Sequence, residues 1–241
     1  MFIFVPYNAL MLPTMLKYRR VIQIFLLLLT CCLFSSCFDL VEEVDLKSNG
    51  SGTIKATLNL SKSKTKVASL MKLKSINGIT IPSQTTITAE TNSIVKLLKA
   101  TPGISQVQHS LDFNNFVATV SCNFESIEAL NSFSQTLAKH FKSPLGKNNS
   151  YSFNKATQVL TRSYKHSPTF NKEFAKMSES DRKLFADAFY TQITRFDKPV
   201  KAQQHQAAHI SGNKKAVLLK LKATDIINGN ASIANTITLN N

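Results

Sequence analysis

The sequence predicts an α+β fold in which antiparallel β-hairpins form a sheet with amphipathic helices packed on one face. Three observations lead there. Several paired segments alternate apolar and polar residues with a period of two across turns rich in Gly or Asn, the pattern of hairpins. Between them lie segments whose apolar residues recur every three or four positions, the pattern of helices burying one stripe. The alternation is clean enough, as where Val217, Leu219 and Leu221 interleave with Lys220 and Lys222, to place one sheet face on a core and the other in water.

The chain begins with a segment outside this pattern. Lys17-Tyr18-Arg19-Arg20 precedes an apolar run of 14 residues, 21–34, and then Ser35-Ser36-Cys37. A membrane-spanning helix needs roughly 20 apolar residues, so the run fits the hydrophobic region of a cleaved export signal, whose cleavage site requires small residues. Leu33-Phe34-Ser35-Ser36-Cys37 resembles a bacterial lipobox, which implies that Cys37 is lipidated and becomes the first mature residue. Phe34 departs from the small aliphatic residue usual there, and Cys31 and Cys32 lie inside the apolar run behind Leu29 and Thr30. The expected division is a signal peptide over 1–36 and a mature domain over 37–241; the alternative is an anchor that is never cut. Residues 1–13 are uncharged and contain Pro6 and Pro13, so Met15, or else Met11, is the expected initiator.

In the mature part, Val44 and Leu46 precede Lys47-Ser-Asn-Gly-Ser-Gly52, and Ile54, Ala56, Leu58 and Leu60 follow it, which predicts a hairpin. A phosphate-binding loop at the same glycines would need a Lys-Ser or Lys-Thr pair at a helix start, and none follows. Val67, Leu70, Met71 and Leu73 predict a helix over 64–74 stopped by Asn77-Gly78. Ile94, Val95, Leu97 and Leu98 predict a second over 88–100, ended by Pro102-Gly103. Residues 107–113 and 116–124 alternate around Asn114-Asn115 as a second hairpin, with His109 on its apolar face as a structural histidine. Ile127, Leu130, Phe133, Leu137 and Phe141 give a helix over 126–141. A third hairpin is expected over 151–154 and 158–166. Ser167-Pro168 reads as an N-cap followed by proline at the first helical position, and Ser178-Glu-Ser-Asp181 as a capping box. Together they predict helix over 170–190, as one piece or two, burying Phe174, Met177, Leu184, Phe185, Ala188 and Phe189. Strands follow over 191–200, 216–224 and 233–239.

Composition limits what this fold can do. The whole chain has 29 Lys and Arg against 14 Asp and Glu; removal of residues 1–36 takes away Lys17, Arg19 and Arg20 and no acid, leaving a net charge of +12. Such an excess suits an anionic neighbour such as a lipid surface or an acidic polymer. Nucleic acid is not expected, because no recognition-helix, zinc or aromatic-basic motif is present to direct the charge onto bases. Cys122 is the one cysteine left beside Cys37, so the mature fold has no intramolecular disulfide and stands on its core. Phe116, Ala118, Val120, Cys122 and Phe124 share one strand face, which makes Cys122 a buried apolar residue rather than a nucleophile. There is no aromatic residue from 39 to 112 but eleven phenylalanines from 113 to 196, so the first part must pack with small aliphatic residues or lean on the later one. Two subdomains divided near 142–150, where Lys-Ser-Pro-Leu-Gly-Lys-Asn-Asn reads as a linker, remain compatible with the pattern.

No fingerprint of a hydrolase nucleophile, a nucleotide loop, a zinc protease or a dinucleotide fold occurs. His205-Gln-Ala-Ala-His209 has metal-like spacing but lacks a placed third ligand, and no metal or cofactor is expected beyond the covalent lipid at Cys37. Lys55, Lys201, Lys214, Lys215, Lys220 and Lys222 project outward and form a candidate basic face toward an anionic membrane; the competing reading is that they protect sheet edges.

The run from Cys37 through Glu42 and Glu43 into the Gly-Ser-Gly hairpin ending at Leu60, together with Ile193-Thr-Arg-Phe-Asp-Lys-Pro-Val-Lys201, resembles the start and end of LppM-type bacterial lipoproteins. The middle of the chain is similar in character to Gram-negative envelope lipoproteins. The LppM resemblance implies an α+β envelope protein with lipid or glycolipid contacts. Phe196-Asp-Lys-Pro-Val departs from the tighter Phe-Pro-Gly order of that family. The expectation is a non-enzymatic lipoprotein, held by its lipid on the cell envelope, most naturally the outer membrane, and binding an envelope lipid, glycan or protein. The alternatives are an assembly subunit of an envelope complex, or a hydrolase whose site is built from scattered residues.

Overall fold

The computed structural model describes residues 38–76, 79–140 and 148–240. The expected export segment, Cys37, Asn77-Gly78 and most of the expected linker lie outside the described residues. Residues 36–241 constitute one compact unit.

Two antiparallel strands, β1 (Asp39–Leu46) and β2 (Gly52–Asn59), form the expected first hairpin, in register from Asp39 opposite Asn59 to Leu46 opposite Gly52. Gly50 supplies the left-handed turn at φ +88°. A short 3-10 turn, Ser61–Ser63, leads into α1 (Lys64–Leu70), and β3 (Ser75–Ile76) pairs with β4 (Ile79–Thr80). The expected helix over 64–74 is therefore shorter: Leu73 is 47% exposed, so its last turn buries no stripe that would hold it.

Helix α2 (Gln84–Lys99) begins where Ser83 Oγ accepts the amide of Thr86 at 3.1 Å, several residues ahead of the expected start. Strands β5 (Ile104–Asp112) and β6 (Val117–Phe124) make the second hairpin, and α3 (Ile127–His140) follows. His109 lies opposite Val120 on the inner face as expected. It is exposed, however, because β5 is an edge strand and the helices do not cover that stretch. Strands β7 (Asn149–Asn154) and β8 (Val159–Tyr164) form the third hairpin.

Helix α4 (Pro168–Lys176), the single turn α5 (Glu179–Arg182) and a 3-10 turn at Lys183–Phe185 fill much of the expected helical stretch. Phe189 and Tyr190 instead open β9 (Phe189–Phe196), because Tyr190, Gln192, Thr194 and Phe196 bury one face at a period of two. The expected strand over 191–200 also divides. Asp197 accepts both the amide and the hydroxyl of Ser48 in a turn, and Pro199 offers no amide, so the chain leaves β9 and enters β10 (Val200–Gln203) in another sheet. Then come β11 (Ala208–Ile210), β12 (Ala216–Lys222), α6 (Ala223–Ile227) and β13 (Asn235–Leu239).

These strands form two larger sheets rather than the single sheet of hairpins expected. The first runs β11-β12-β9-β1-β2-β6-β5, with β1 and β9 parallel and every other pair antiparallel; the second is the antiparallel order β10-β13-β8-β7. The outer face of the first, larger sheet carries Glu43, Asp45, Lys55, Thr191, Arg195, Lys220 and Lys222, the half-solvated face that the alternation predicts. On the inner face, α2 and α3 pack toward β5 and β6, while the second sheet covers β9 and β12. One hydrophobic core spans both regions, from Leu98, Leu130 and Phe133 through Val44 and Ile54 to Leu160, Leu219 and Ile237.

Candidate lipid-sized cavity

The second layer does not close over the start of β1. Between the inner face of the large sheet and the elements α3, α4 and α6 lies a half-open cavity of about 550 Å³, within the roughly 300–1,000 Å³ typical of small-ligand sites. Its walls are apolar almost throughout. Phe38 and Leu40 come from the entry of β1, Ala56 from β2, Phe133, Leu137 and Ala138 from α3, Phe170 from α4, and Ile226 and Ile227 from α6. Phe185 contributes a further wall and holds Phe38 and Phe174 edge-to-face, with ring centroids 5.2 and 5.4 Å away. Leu40 shares the inner parity of Val44 and Leu46 yet is 39% exposed, since no described residue fills the space in front of it.

One corner of the cavity is polar, and it lies where the two sheets meet. Arg162, on an inner position of β8, is only 4% exposed. Its Nη1 donates to Glu42 Oε1 at 3.0 Å and to the Tyr190 hydroxyl at 2.6 Å, its Nε to Asn149 Oδ1 at 2.9 Å, and its Nη2 reaches Glu42 Oε2 at 3.4 Å. The Tyr151 hydroxyl donates to the same Glu42 Oε1, and Gln192 Nε2 donates to that hydroxyl at 3.2 Å. The guanidinium carbon stands 5.0 Å from the Tyr151 ring centroid and 5.6 Å from that of Tyr190.

The cluster's protonation follows from its surroundings. Burial is the largest single influence and opposes the charge on Arg162, but the Glu42 carboxylate and the Tyr151 and Tyr190 hydroxyls together outweigh it, so the guanidinium holds its proton more firmly than in water. Burial raises the Tyr151 and Tyr190 hydroxyls above the ordinary phenol range, which keeps both protonated. The result is a neutral ion pair clamped by two phenols, arranged to orient a bound polar group by hydrogen bonds. Glu42, Asn149, Arg162 and Tyr190 all border the cavity.

The expected lysines do not gather around it. Lys55 pairs with Glu43 at 2.6 Å, in a surface network where Arg195 also holds Glu43 at 2.7 Å and Asp45 at 3.1 Å. The Lys55 and Arg195 contacts hold the Glu43 carboxyl below its usual range against a smaller effect of burial. Lys214 and Lys215 sit with Lys201 at one end of the large sheet, where the Val200 amide meets the Lys214 carbonyl and the Phe196 amide meets that of Lys215. Lys220 and Lys222 lie toward the other end of β12, in register with Thr191 and Phe189. Lys220 Nζ is 4.4 Å from the centroid of the Phe189 ring, itself a cavity residue. The six lysines are thus divided among three places.

His205 and His209 form no ligand pair: His205 Nε2 faces the Ser232 carbonyl at 2.8 Å and its Nδ1 accepts the Ala207 amide, while His209 is exposed on β11. Among the described residues no group of three His, Cys, Asp or Glu side chains is placed to hold a metal. Cys122 is buried on β6, and burial pushes its thiol up to about 12, as its apolar strand position leads one to expect.

Sequence reasoning missed the polar corner. Its signal was present as an acid between Leu40 and Val44, and an arginine two places after Leu160, each at the buried parity of its strand.

No protein-family model matches this chain, and no curated protein matches it. Among solved structures, it has a weak likeness of fold to the NMR structure of the folded domain of LppM from Mycobacterium tuberculosis, with 12% sequence identity over 84% of this chain and 88% of that chain, and a TM-score of 0.43.

Proposed function

We propose that the protein is a non-enzymatic envelope lipoprotein that holds the apolar part of a lipid in the cavity between its large sheet and α3. The observation that carries this reading is the cavity itself: about 550 Å³, walled by Phe, Leu, Ile and Ala side chains from β1, β2, α3, α4 and α6, and left open on one side. Burying an acyl chain there removes apolar surface of both partners from water, at roughly 25 cal/mol per Å² before the costs of association. The tether supports the same reading. Phe38, in the cavity wall, directly follows the cysteine of the lipobox-like segment, so lipidation at Cys37 would hold the opening close to a bilayer. The outer membrane is the proposed location.

The test uses the full chain in phosphatidylcholine vesicles carrying a monoacylglycerol with a diazirine in its acyl chain. Irradiation is expected to label peptides containing Phe133, Leu137, Phe170 or Ile226, and Ala56→Phe, which fills the space beside Glu42, is expected to reduce that labelling at least about tenfold. Labels confined to the outer sheet face, or undiminished by Ala56→Phe, overturn the reading. The tether is tested in cells, where Cys37→Ser is expected to move the protein from the membrane to the soluble fraction; retention as an uncut precursor overturns it.

A further inference from the structure

We infer that Glu42 makes the cavity selective for amphiphiles whose inserted polar group is uncharged and bears a hydroxyl, and excludes the corresponding carboxylates. The inference rests on the reading of the cavity as a lipid site and adds the class of lipid.

A lone buried arginine beside an apolar cavity would attract the carboxylate of a fatty acid. Here Glu42 already occupies that place. It contacts both terminal nitrogens of Arg162, at 3.0 and 3.4 Å, and the pair sums to zero charge. A second carboxylate would leave a net negative charge in a region walled by phenylalanine and isoleucine, where an unpaired ion is poorly solvated.

The hydrogen bonds left over point to the favoured group. Guanidinium carries five N–H donors; Nε is taken by Asn149 and both Nη1 protons by Glu42 and Tyr190. Nη2 makes only the long bond to Glu42 Oε2, which leaves it a proton without a protein partner among the described residues. The Glu42 carboxylate accepts Arg162 and Tyr151 at Oε1, meets Nη2 at 3.4 Å through Oε2, and also takes a hydrogen bond from the Tyr190 hydroxyl. A free donor thus stands beside a carboxylate at the cavity's edge. A hydroxyl matches them, since its oxygen accepts from Nη2 while its proton faces the second lone pair of a Glu42 oxygen. A carboxylate can only accept, and its charge faces that of Glu42.

The experiment compares three diazirine probes of one chain length with the full protein in phosphatidylcholine vesicles at about pH 9, high enough to ionise a free acid whose pKa the bilayer raises. The probes are the monoacylglycerol, the free fatty acid and its uncharged methyl ester. For the wild-type protein, labelling of cavity peptides is expected to fall in the order monoacylglycerol, methyl ester, free acid, with at least about tenfold between first and last. Glu42→Gln keeps the shape but leaves Arg162 as an uncompensated cation, and is expected to raise free-acid labelling relative to monoacylglycerol by at least about tenfold. Equal labelling by acid and ester in the wild-type protein overturns the inference without requiring any variant to fold, as does an unchanged preference in Glu42→Gln. Cavity labelling by none of the probes overturns the lipid-site reading itself.

Discussion

Cys122 shows how a single side chain ties burial to pH. Its thiol is 2% exposed on the inner face of β6 and is raised from 9.0 to about 12 by desolvation. The folded chain therefore keeps a proton between those values that the unfolded chain gives up. Unfolding releases it, so stability falls as pH rises from about 9 toward about 12, by no more than about 1.4 kcal/mol per unit. Below that window the thiol is protonated in both states and contributes no slope. Cys122→Ala, measured against the wild-type protein by urea denaturation, is expected to be less stable at about pH 8 through lost packing and to close that gap as pH rises. A gap that stays constant refutes the assignment. The burial of Cys122 was readable because its neighbours at a spacing of two are apolar. That of Arg162 was equally available from parity, but its partners Glu42 and Tyr190 lie 120 and 28 residues away, and local spacing does not announce such a meeting.

Elements were legible where local chemistry decides them and obscure where tertiary pairing does. The first hairpin carries its own turn glycines, and α2 its own cap at Ser83. The segment after α5 is different, because Phe189 and Tyr190 suit a helix or a strand, and only the neighbouring β1 and β12 choose between them. Gly52 belongs to the locally decided class for a reason beyond the turn. A Cβ there would stand 1.9 Å from the Asp45 carbonyl oxygen and 2.6 Å from the tip of the Phe124 ring, and the carbonyl is backbone that cannot swing aside. Gly212, by contrast, has nothing within 4 Å of such a Cβ. Gly52→Ala is expected to destabilise the fold by about 3 kcal/mol or more, through the separation forced on β1 and β2, while Gly212→Ala stays within about 0.5 kcal/mol. Thermal or urea unfolding of the two variants checks the contrast, and comparable losses would show that the clash at Gly52 is absorbed.

At the scale of the molecule, the chain's order and its sheet order differ. The parallel pairing of β1 with β9 brings residues 39–46 against 189–196, so the first and later parts complete one sheet. This long-range pairing was not legible in the sequence, where the absence of aromatics from 39 to 112 left open whether the first part packs with its own small aliphatic residues or leans on the second. The polar corner crosses the same divide, with Glu42 on one side of 142–150 and Tyr151, Arg162 and Tyr190 on the other. Separating the two parts would expose the core shared by Val44, Ile54, Leu160 and Leu219 and strand the charge of Arg162. Unfolding is therefore expected to be one cooperative transition. The longest described helices, α2 and α3, lie before residue 141, so far-UV circular dichroism reports largely on that part. The tyrosines of the folded domain are Tyr151, Tyr164 and Tyr190, all beyond it, and the chain has no tryptophan, so near-UV tyrosine signals report on the other part. In a urea titration the two signals are expected to share one midpoint and one slope. Two midpoints, with the tyrosine signal lost at a different urea concentration from the helical signal, would mean that the parts on either side of 142–150 fold as separate units and that the β1–β9 pairing joins domains already stable alone.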